Sequence, residues 1–511
     1  MSDQPDDLTE LLRRRALTED AARPDAVATR HERGGRTARE NVEDLIDPGS
    51  WVEYGRYAIA AQRAKRPMDD LIARTPADGL LAGTARIDGV PGAVMAYDYT
   101  VLAGTQGMTG HAKKDRLFEL IERMRLPVIF FAEGGGGRPG DTDFPAVSWL
   151  HTRAFALWAK LSGKVPRIAI VHGRCFAGNA VIAGCSDLIV ATKGASLGMG
   201  GPAMIAGGGL GDVPPDEVGP MSMQEPNGVV DVVVEDEAAA VALARKLMSY
   251  FTRPVVEDVV VPDQTALRTA LPESARRAYD VTPVIATLAD EGSVAVLRPK
   301  FAPEMVTALA RIDGRAVGII ANNTKYYAGT ITAPASDKAA RFLQLCDTFG
   351  LPIVSLVDTP GFMVGPKHEA TGLVRHTARL LVAGAALTVP FVAVVLRRGY
   401  GLGAQAMVGG SLHEPLLTLA WPSAHLGPMG LEGAVRLAMR RDLEAIADEE
   451  EREARVRELT AAAQANASAI NAATFFELDD VVDPADTRAL IASTLTAAGP
   501  SPGSGRFVDP W

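Results

Sequence analysis

The stretch "VPRIAIVHGRCFAGNAVIAG" occupies residues 165–184, and "VPFVAVVLRRGYGLGAQAMVGG" occupies residues 389–410. Each opens on Val-Pro, continues as an apolar run, breaks at glycine and resumes in small residues. A run of Val, Ile, Leu and Ala without polar alternation is the pattern of a strand covered on both faces. Glycine and alanine directly after it fit a tight entry into a helix. Both passages therefore predict strand, turn, helix.

Other matches keep nearly the same spacing. Arg86–Gly89 and Arg311–Gly314 both read RIDG, and Leu126-Pro127 and Leu351-Pro352 lie at the same offset, with Lys113 and Arg116 answered by Lys338 and Arg341. "ASLGMGG" (195–201) answers "AHLGPMG" (424–430). A collinear series of this kind marks an internal duplication. Short apolar runs, including Val128–Ala132, Leu188–Ala191, Ile353–Val357 and Leu416–Ala420, alternate with helical patterns such as Lys113–Met124 and Glu369–Ala383. The fold class is α/β. The boundary is placed near Pro254–Pro272, giving domains over 1–260 and 261–511.

Composition narrows the function. The chain has 511 residues, is 47% hydrophobic and carries a formal net charge of −10, which argues against nucleic acid as partner because phosphate binding needs a basic footprint. Cys175, Cys185 and Cys346 form no CxxC pair, and the eight histidines show no HxxxH or HExxH spacing, so no metal site is expected. The first 25 residues lack a signal-peptide apolar core. Leu380 to Leu396 is nearly all apolar but is interrupted by Thr388-Val389-Pro390, and reads as helix, turn and strand rather than a membrane span. A soluble, cytoplasmic protein is expected. Leu443–Ala463 reads as a solvated helix, and Pro500–Trp511 as a loose tail.

The chemistry concentrates in the glycine turns. Phe176-Ala177-Gly178-Asn179 and Gly401-Leu402-Gly403-Ala404 each follow a buried strand and open a helix of small residues. A helix start exposes unpaired N–H groups at the positive end of its dipole. Such donors form an oxyanion hole for charge developing on a thioester oxygen. Taken singly, either turn reads as the tight strand–helix packing that any α/β fold has; two at equivalent repeat positions favour the functional reading. Gly134–Gly137 followed by Arg138 is either an anion-binding nest or a flexible loop, and its repeat partner is "VDTPGF" (357–362). Gly207–Gly211 is read only as a mobile loop. Gly194-Ala195-Ser196-Leu197-Gly198 matches GxSxG, but no helix is expected after it to make a nucleophile elbow. Asp187 is read as a local cap or ion pair. No GxxxxGK[ST] loop is present.

These residues resemble the carboxyltransferase (β) subunits of biotin-dependent acyl-CoA carboxylases, the propionyl-CoA carboxylase type within the crotonase superfamily. The resemblance runs from about Thr37 to Thr494 and is carried by "TARENVEDLIDPGSWVEYG" (37–55), "ARIDGRAVGIIANN" (310–323), "LPIVSLVDTPGFMVG" (351–365), "RRGYGLGAQAMVGG" (397–410) and "LAWPSAHLGPMG" (419–430). It implies two tandem crotonase-like domains, the first holding acyl-CoA and the second biotin. It also implies a homo-hexamer, a trimer of dimers, with the active site between the N-terminal domain of one protomer and the C-terminal domain of another. Ala177/Gly178 and Leu402/Gly403 fall on the family's two oxyanion pairs. Gln405 falls where the family tunes acyl specificity, and Phe176 alters the pocket lining. Gly135, Gly136, Gly137, Arg138, Gly361, Phe362 and Tyr400 are candidates for contact with CoA or biotin.

The implied activity is transfer of CO2 from carboxybiotin to the α-carbon of an acyl-CoA through an enolate. No biotin-attachment "MKM" occurs, so biotin is expected on a separate carrier, supplied with the biotin carboxylase by an α subunit. A decarboxylase or transcarboxylase acting on a malonyl-type thioester is the alternative within the same chemistry, and a non-catalytic scaffold paralogue the alternative outside it. A single-domain hydratase would need a carboxylate acid/base, for which Glu133 is the one candidate.

Overall fold

A computed structural model of the chain describes residues 6–138, 140–143, 148–274 and 277–511. The chain divides into two units, Met1–Thr252 and Arg253–Asp509. The first holds β1 (Val52–Glu53), β2 (Leu80–Ile87), β3 (Val90–Tyr97), β4 (Val128–Gly134), β5 (Arg167–Phe176), β6 (Leu188–Thr192), β7 (Ser196–Gly198) and β8 (Val232–Val234). They form one sheet in the order β1-β2-β3-β4-β5-β6-β8, with β7 beside the end of β5. The second unit holds β9 (Ala295–Leu297), β10 (Met305–Ile312), β11 (Arg315–Asn322), β12 (Ile353–Thr359), β13 (Phe391–Tyr400), β14 (Leu417–Ala420), β15 (His425–Gly427) and β16 (Asp480–Val481). Their order is β9-β10-β11-β12-β13-β14-β16, with β15 beside β13. The duplication inferred from the sequence is a duplication of topology.

The repeated RIDG strings are the hairpin turns β2–β3 and β10–β11. Asp88 (φ 50°) and Gly89 (φ 80°), like Asp313 (φ 54°) and Gly314 (φ 73°), take successive left-handed conformations, the tight hairpin geometry that Asp-Gly favours. A carboxylate holds each turn: Asp47 accepts from the N–H groups of Asp88 (3.0 Å) and Gly89 (2.8 Å), and Asp290 from those of Asp313 (3.0 Å) and Gly314 (2.8 Å).

The central strands are parallel and buried on both faces, as their unbroken apolar runs require. Tyr97, Phe118, Phe130 and Trp158 anchor the first core, and Trp421 the second. The helices Met108–Met124 and Ala333–Phe349 each bury the lysine of the repeat, Lys113 and Lys338. Lys113 Nζ donates to the carbonyls of Ala77 (2.8 Å) and Leu80, and Lys338 Nζ to those of Arg298 and Phe301 (both 2.8 Å) and Ala302 (3.4 Å). Ala77, Arg298 and Ala302 have positive φ. The repeated lysine thus ties down an irregular turn ahead of each RIDG hairpin.

The apolar stretch resolves as expected into a helix, Leu373–Ala385, and β13. The charged stretch holds Arg440–Glu444 and a longer helix, Glu449–Asn466, capped by Asp448, whose carboxylate accepts from Glu451 N–H (2.8 Å). The terminal stretch differs from expectation. It has no regular structure after Ala498, yet Ser504 and Gly505 donate to the carbonyls of Asp347 (2.8 Å) and Thr348 (3.3 Å). The helix Ala333–Phe349 leaves its last carbonyls unpaired, and the tail satisfies them. Among the described residues, no helix is long and apolar enough to cross a membrane.

Candidate active site

Strand pairing fixes which residues of the two turns correspond. Phe176 lies opposite Gly198 on β7, and Tyr400 lies opposite Gly427 on β15. Ala177 therefore matches Gly401, Gly178 matches Leu402, and Asn179 matches Gly403. Ala177 (φ 50°) and Gly401 (φ 59°) share the left-handed conformation that swings the chain from strand into helix. The short helices Gly178–Gly184 and Gly401–Met407 follow.

The Ala177 N–H is already used, donating to the Gly198 carbonyl at 3.1 Å. Of the Ala177/Gly178 pair, Gly178 keeps an unspent donor, and Asn179 N–H next to it is also unspent among the described residues. In the second unit, the N–H groups of both Leu402 and Gly403 are unspent. The backbone signal is therefore duplicated one residue further along the first turn than the Ala-Gly spelling suggests.

A second segment reaches each turn. Gly136 sits so close to Ala177 that a Cβ on it would stand 2.8 Å from the Ala177 Cβ. The run Gly134–Gly137 is not loose: Gly135 N–H donates to the Ala103 carbonyl (3.3 Å), the Gly136 carbonyl accepts from Gln106 N–H (2.7 Å), and Arg138 N–H donates to the Gln106 carbonyl (3.0 Å). The N–H groups of Gly136 and Gly137 remain unspent among the described residues. The Arg138 guanidinium pairs with Asp78 and, at 3.4 Å, with Asp141. Its charge is committed within the fold.

In the second unit the approach is tighter. A Cβ on Gly403 would lie 2.6 Å from the Gly361 carbonyl carbon and 2.9 Å from Phe362 N, which only glycine permits. Gly361 N–H donates to Thr359 Oγ1 (3.1 Å), while Phe362 N–H is unspent among the described residues. Phe176 and Tyr400 are buried, Phe176 against Gly198 and Gly201, and Tyr400 against Gly427. Burial pushes the Tyr400 hydroxyl up.

Beside the second turn a cavity of about 620 Å³ opens, lined by Val357, Val395, Leu402, Gln405, Leu426 and Phe476 among others. Leu402 is 64% exposed, and Gln405 is exposed on the same short helix. Phe476 meets His413 edge-on, ring centroids 5.2 Å apart.

Glu133 is buried at the end of β4, where Arg30 Nη1 donates to its carboxylate at 2.7 Å. An acid/base role would require breaking that pair. Ser196 lies buried within β7; a helix not expected from the sequence, Pro202–Gly207, does follow, but only after three intervening residues, so Ser196 is not at a strand-to-helix elbow. Asp187 forms the local pair expected, with Arg167 at 2.9 Å. Among the described residues, no group of three or more His, Cys, Asp or Glu could hold a metal ion.

The turn that holds Asn179 was evident in the sequence, but the side chains of Lys114, Gln106 and Asn179 carried no functional signal of their own. Lys114 Nζ donates to Gln106 Oε1 (2.5 Å), and Gln106 Nε2 donates to Asn179 Oδ1 (2.9 Å). Asn179 Nδ2 in turn donates to the carbonyls of Glu133 (2.8 Å) and Gly104 (3.2 Å). The available clue is that Lys114 shares a helical stripe with Leu117, Phe118 and Ile121, all buried.

Residues 29–501 match the carboxyl transferase domain model. The chain belongs to the carboxyl transferase family. Among curated relatives of this carboxyltransferase, the methylmalonyl-CoA carboxyltransferase 12S subunit of Propionibacterium freudenreichii subsp. shermanii is 36% identical over 92% of the chain and 90% of the relative. A crystal structure of transcarboxylase 12S, described as a hexamer with methylmalonyl-coenzyme A bound, aligns with TM-score 0.85 and 33% identity over 100% of this chain and 99% of that one. A single-chain, multi-domain long-chain acyl-CoA carboxylase aligns with TM-score 0.92 and 52% identity over 97% of this chain. The carboxyltransferase spans about half, 49%, of that longer protein.

Proposed function

We propose that each unit of this carboxyltransferase contributes one oxyanion hole made of main-chain donors: Gly178 and Asn179 with the Gly136–Gly137 turn in the first, Leu402 and Gly403 with Phe362 in the second. The chain is the carboxyltransferase component of a biotin-dependent acyl-CoA carboxylase. The observation that carries the proposal is the pair of unspent donors repeated at one register, Gly178 against Leu402, each flanked by a second backbone segment.

The first unit holds the acyl-CoA, and its donors accept the charge that builds on the thioester oxygen as the α-proton leaves. Donors fixed by the fold need no reorganisation when that charge appears. Carboxybiotin supplies the CO2 and the base. The donors of the second unit steady the ureido oxygen and orient it. Biotin is carried by a separate carrier, and the natural assembly is a homo-hexamer, a trimer of dimers; the likeness to the hexameric transcarboxylase core supports this. The three cysteines, all unpaired, support a reducing, cytoplasmic compartment.

Gln405 tunes acyl specificity. The 620 Å³ cavity at its side, walled largely by Val, Leu and Phe, suits an extended alkyl chain, and the 52% identity to a long-chain acyl-CoA carboxylase supports that direction. Gly361, Phe362 and Tyr400 then border the biotin side.

The test combines the purified chain with a biotin carboxylase and carrier subunit, ATP, labelled bicarbonate and a panel of acyl-CoAs. Acid-stable label in the acyl product is expected, greatest with long chains. A chain that folds but leaves all label volatile overturns the proposal. A second reading, decarboxylation or transcarboxylation of a malonyl-type thioester, is favoured by the 36% identity to a methylmalonyl-CoA carboxyltransferase. Loss of CO2 from methylmalonyl-CoA faster than label enters any acyl-CoA would establish it.

A further inference from the structure

The two holes share a scaffold, but among the described residues the lysine–amide chain behind the first has no counterpart behind the second. Lys114 is fully buried, as is Asn179, and Gln106 is 4% exposed. At the corresponding positions of the second unit stand Ala339, Gly403 and Ile331. That correspondence is structural: Gln106 bridges to Gly137 as Ile331 bridges to Phe362. The second hole is assembled by backbone lying on backbone, whereas the first is braced by a polar chain.

The hydrogen bonds of that chain all run one way, from the Lys114 ammonium through the Gln106 amide to the Asn179 amide and on to the carbonyls of Glu133 and Gly104. Gln106 passes within reach of the hole itself, since a Cβ on Gly178 would stand 3.0 Å from its Nε2. The same residue grips the glycine turn through its own backbone, on the Gly136 carbonyl and the Arg138 N–H.

Lys114 makes no ion pair among the described residues: Asp78 is paired with Arg138, and Gln106 is the lysine's hydrogen-bond acceptor. The rings of Tyr97 and Phe155 lie 5.8 Å from its nitrogen. The charged and titratable groups around it are Asp115 on its own helix, Asp78 across from it, and His111 and Arg138. Neither carboxylate is hydrogen-bonded to it; a buried ammonium so weakly countered is unfavourable in a resting fold, and an anion formed nearby relieves it.

We infer that Lys114 is a positioning and electrostatic residue for the first oxyanion hole, its charge carried through Gln106 and Asn179 to the Gly136–Gly178 cleft, with the substrate's developing enolate oxygen as the missing counter-charge. This rests on the assignment of the first hole to the thioester. Lys114 does not touch the reacting atoms. Its effect belongs to the turnover step rather than to binding, because the counter-charge exists only once the α-proton is leaving.

The test is Lys114→Met in the full chain, assayed with carrier and acyl-CoA beside wild type. Expected are a kcat at least ten-fold lower, KM for acyl-CoA within three-fold, and a Tm close to wild type, because removal of a buried charge offsets the loss of the donor to Gln106 Oε1. Lys114→Arg should recover part of kcat. Gln106→Glu, which sets a carboxylate on the ammonium, should lower kcat as Lys114→Met does while holding Tm. Unchanged kcat in Lys114→Met overturns the inference, and so does a kcat loss accompanied by a sharp fall in Tm, which would make the lysine structural. Wild-type protein that places no carboxyl group on any acyl-CoA would instead overturn the functional reading beneath it.

Discussion

Asn179 and Gly403 occupy the same position in the two turns, and they fill it in opposite ways. Asn179 spends its amide on three partners: Gln106 and the carbonyls of Glu133 and Gly104. Gly403 has no side chain and lets the Gly361–Phe362 backbone rest against it. One site is spaced by a hydrogen-bonded side chain and the other by contact. The two therefore respond differently to substitution.

Gly403→Ala places a methyl group 2.6 Å from the Gly361 carbonyl carbon. The obstructing atoms are backbone, so the turn itself must move. Turnover should fall at least a hundred-fold, with stability reduced by about 1–3 kcal/mol. Steady-state kinetics and urea unfolding measure the two effects, and activity within ten-fold of wild type would remove Gly403 from the second hole.

Leu402→Pro deletes one donor. Proline is tolerated in the first turn of a helix because the N–H there has no intrahelical partner. Losing a single oxyanion donor lowers kcat by roughly 10²–10³. Leu402→Ala keeps the N–H and, the side chain being 64% exposed, should remain within about five-fold by the same reasoning on main-chain donors. Equal activity of the two variants would show that the Leu402 N–H is idle.

Gln405→Ile makes the rim of the 620 Å³ cavity wholly apolar on that side. The ratio of kcat/KM between long and short acyl-CoAs should rise by roughly 10-fold, the scale of one or two added apolar contacts. The rate with the best substrate should change less. A flat profile across chain length would assign specificity elsewhere.

Lys338→Met removes a donor from a buried turn: the Arg298 and Ala302 carbonyls keep the N–H groups of Phe301 and Met305, and the Phe301 carbonyl is left stranded. Each unsatisfied buried acceptor costs about 1–3 kcal/mol, so Tm should drop clearly. Differential scanning calorimetry will show it, and a Tm equal to wild type would mean the turn is satisfied without the ammonium.

Burial pushes Lys114 from its ordinary 10.5 down to about 7, against the pull of Asp115 and Asp78. Burial likewise lowers Lys113 to about 8. Between each folded value and 10.5 the unfolded chain binds more protons, so stability rises with pH across that window. Urea midpoints should climb from pH 7 towards pH 10. Lys114→Met should flatten the climb, most visibly between pH 7 and 8, where Lys113 contributes little. An identical slope in the variant would show that Lys114 keeps its ordinary proton affinity in the fold.

The duplicated sheet was legible because its strands are covered on both faces, and so spell themselves as unbroken apolar runs ending in glycine. RIDG was legible as repetition, and the hairpin geometry supplies its cause. The spent Ala177 N–H was not legible: its acceptor, Gly198, is brought over by β7, and nothing near residue 177 announces that pairing. Nor was the fate of Arg138, since Asp78 lies sixty residues away in sequence. Lys114 has no counterpart in the repeat and so did not stand out in the sequence. Its position on the stripe of Leu117, Phe118 and Ile121 was the overlooked sign, because charge at a core position invites the question of what it faces.

The paired burial of Lys113 and Lys338 also equips the molecule with its own reporters. Amine-selective reagents added to native protein should label surface lysines within minutes and leave these two untouched until the surrounding turn opens. Mass spectrometry of the two peptides over time would then follow the loosening of each half separately, with no probe introduced by mutation.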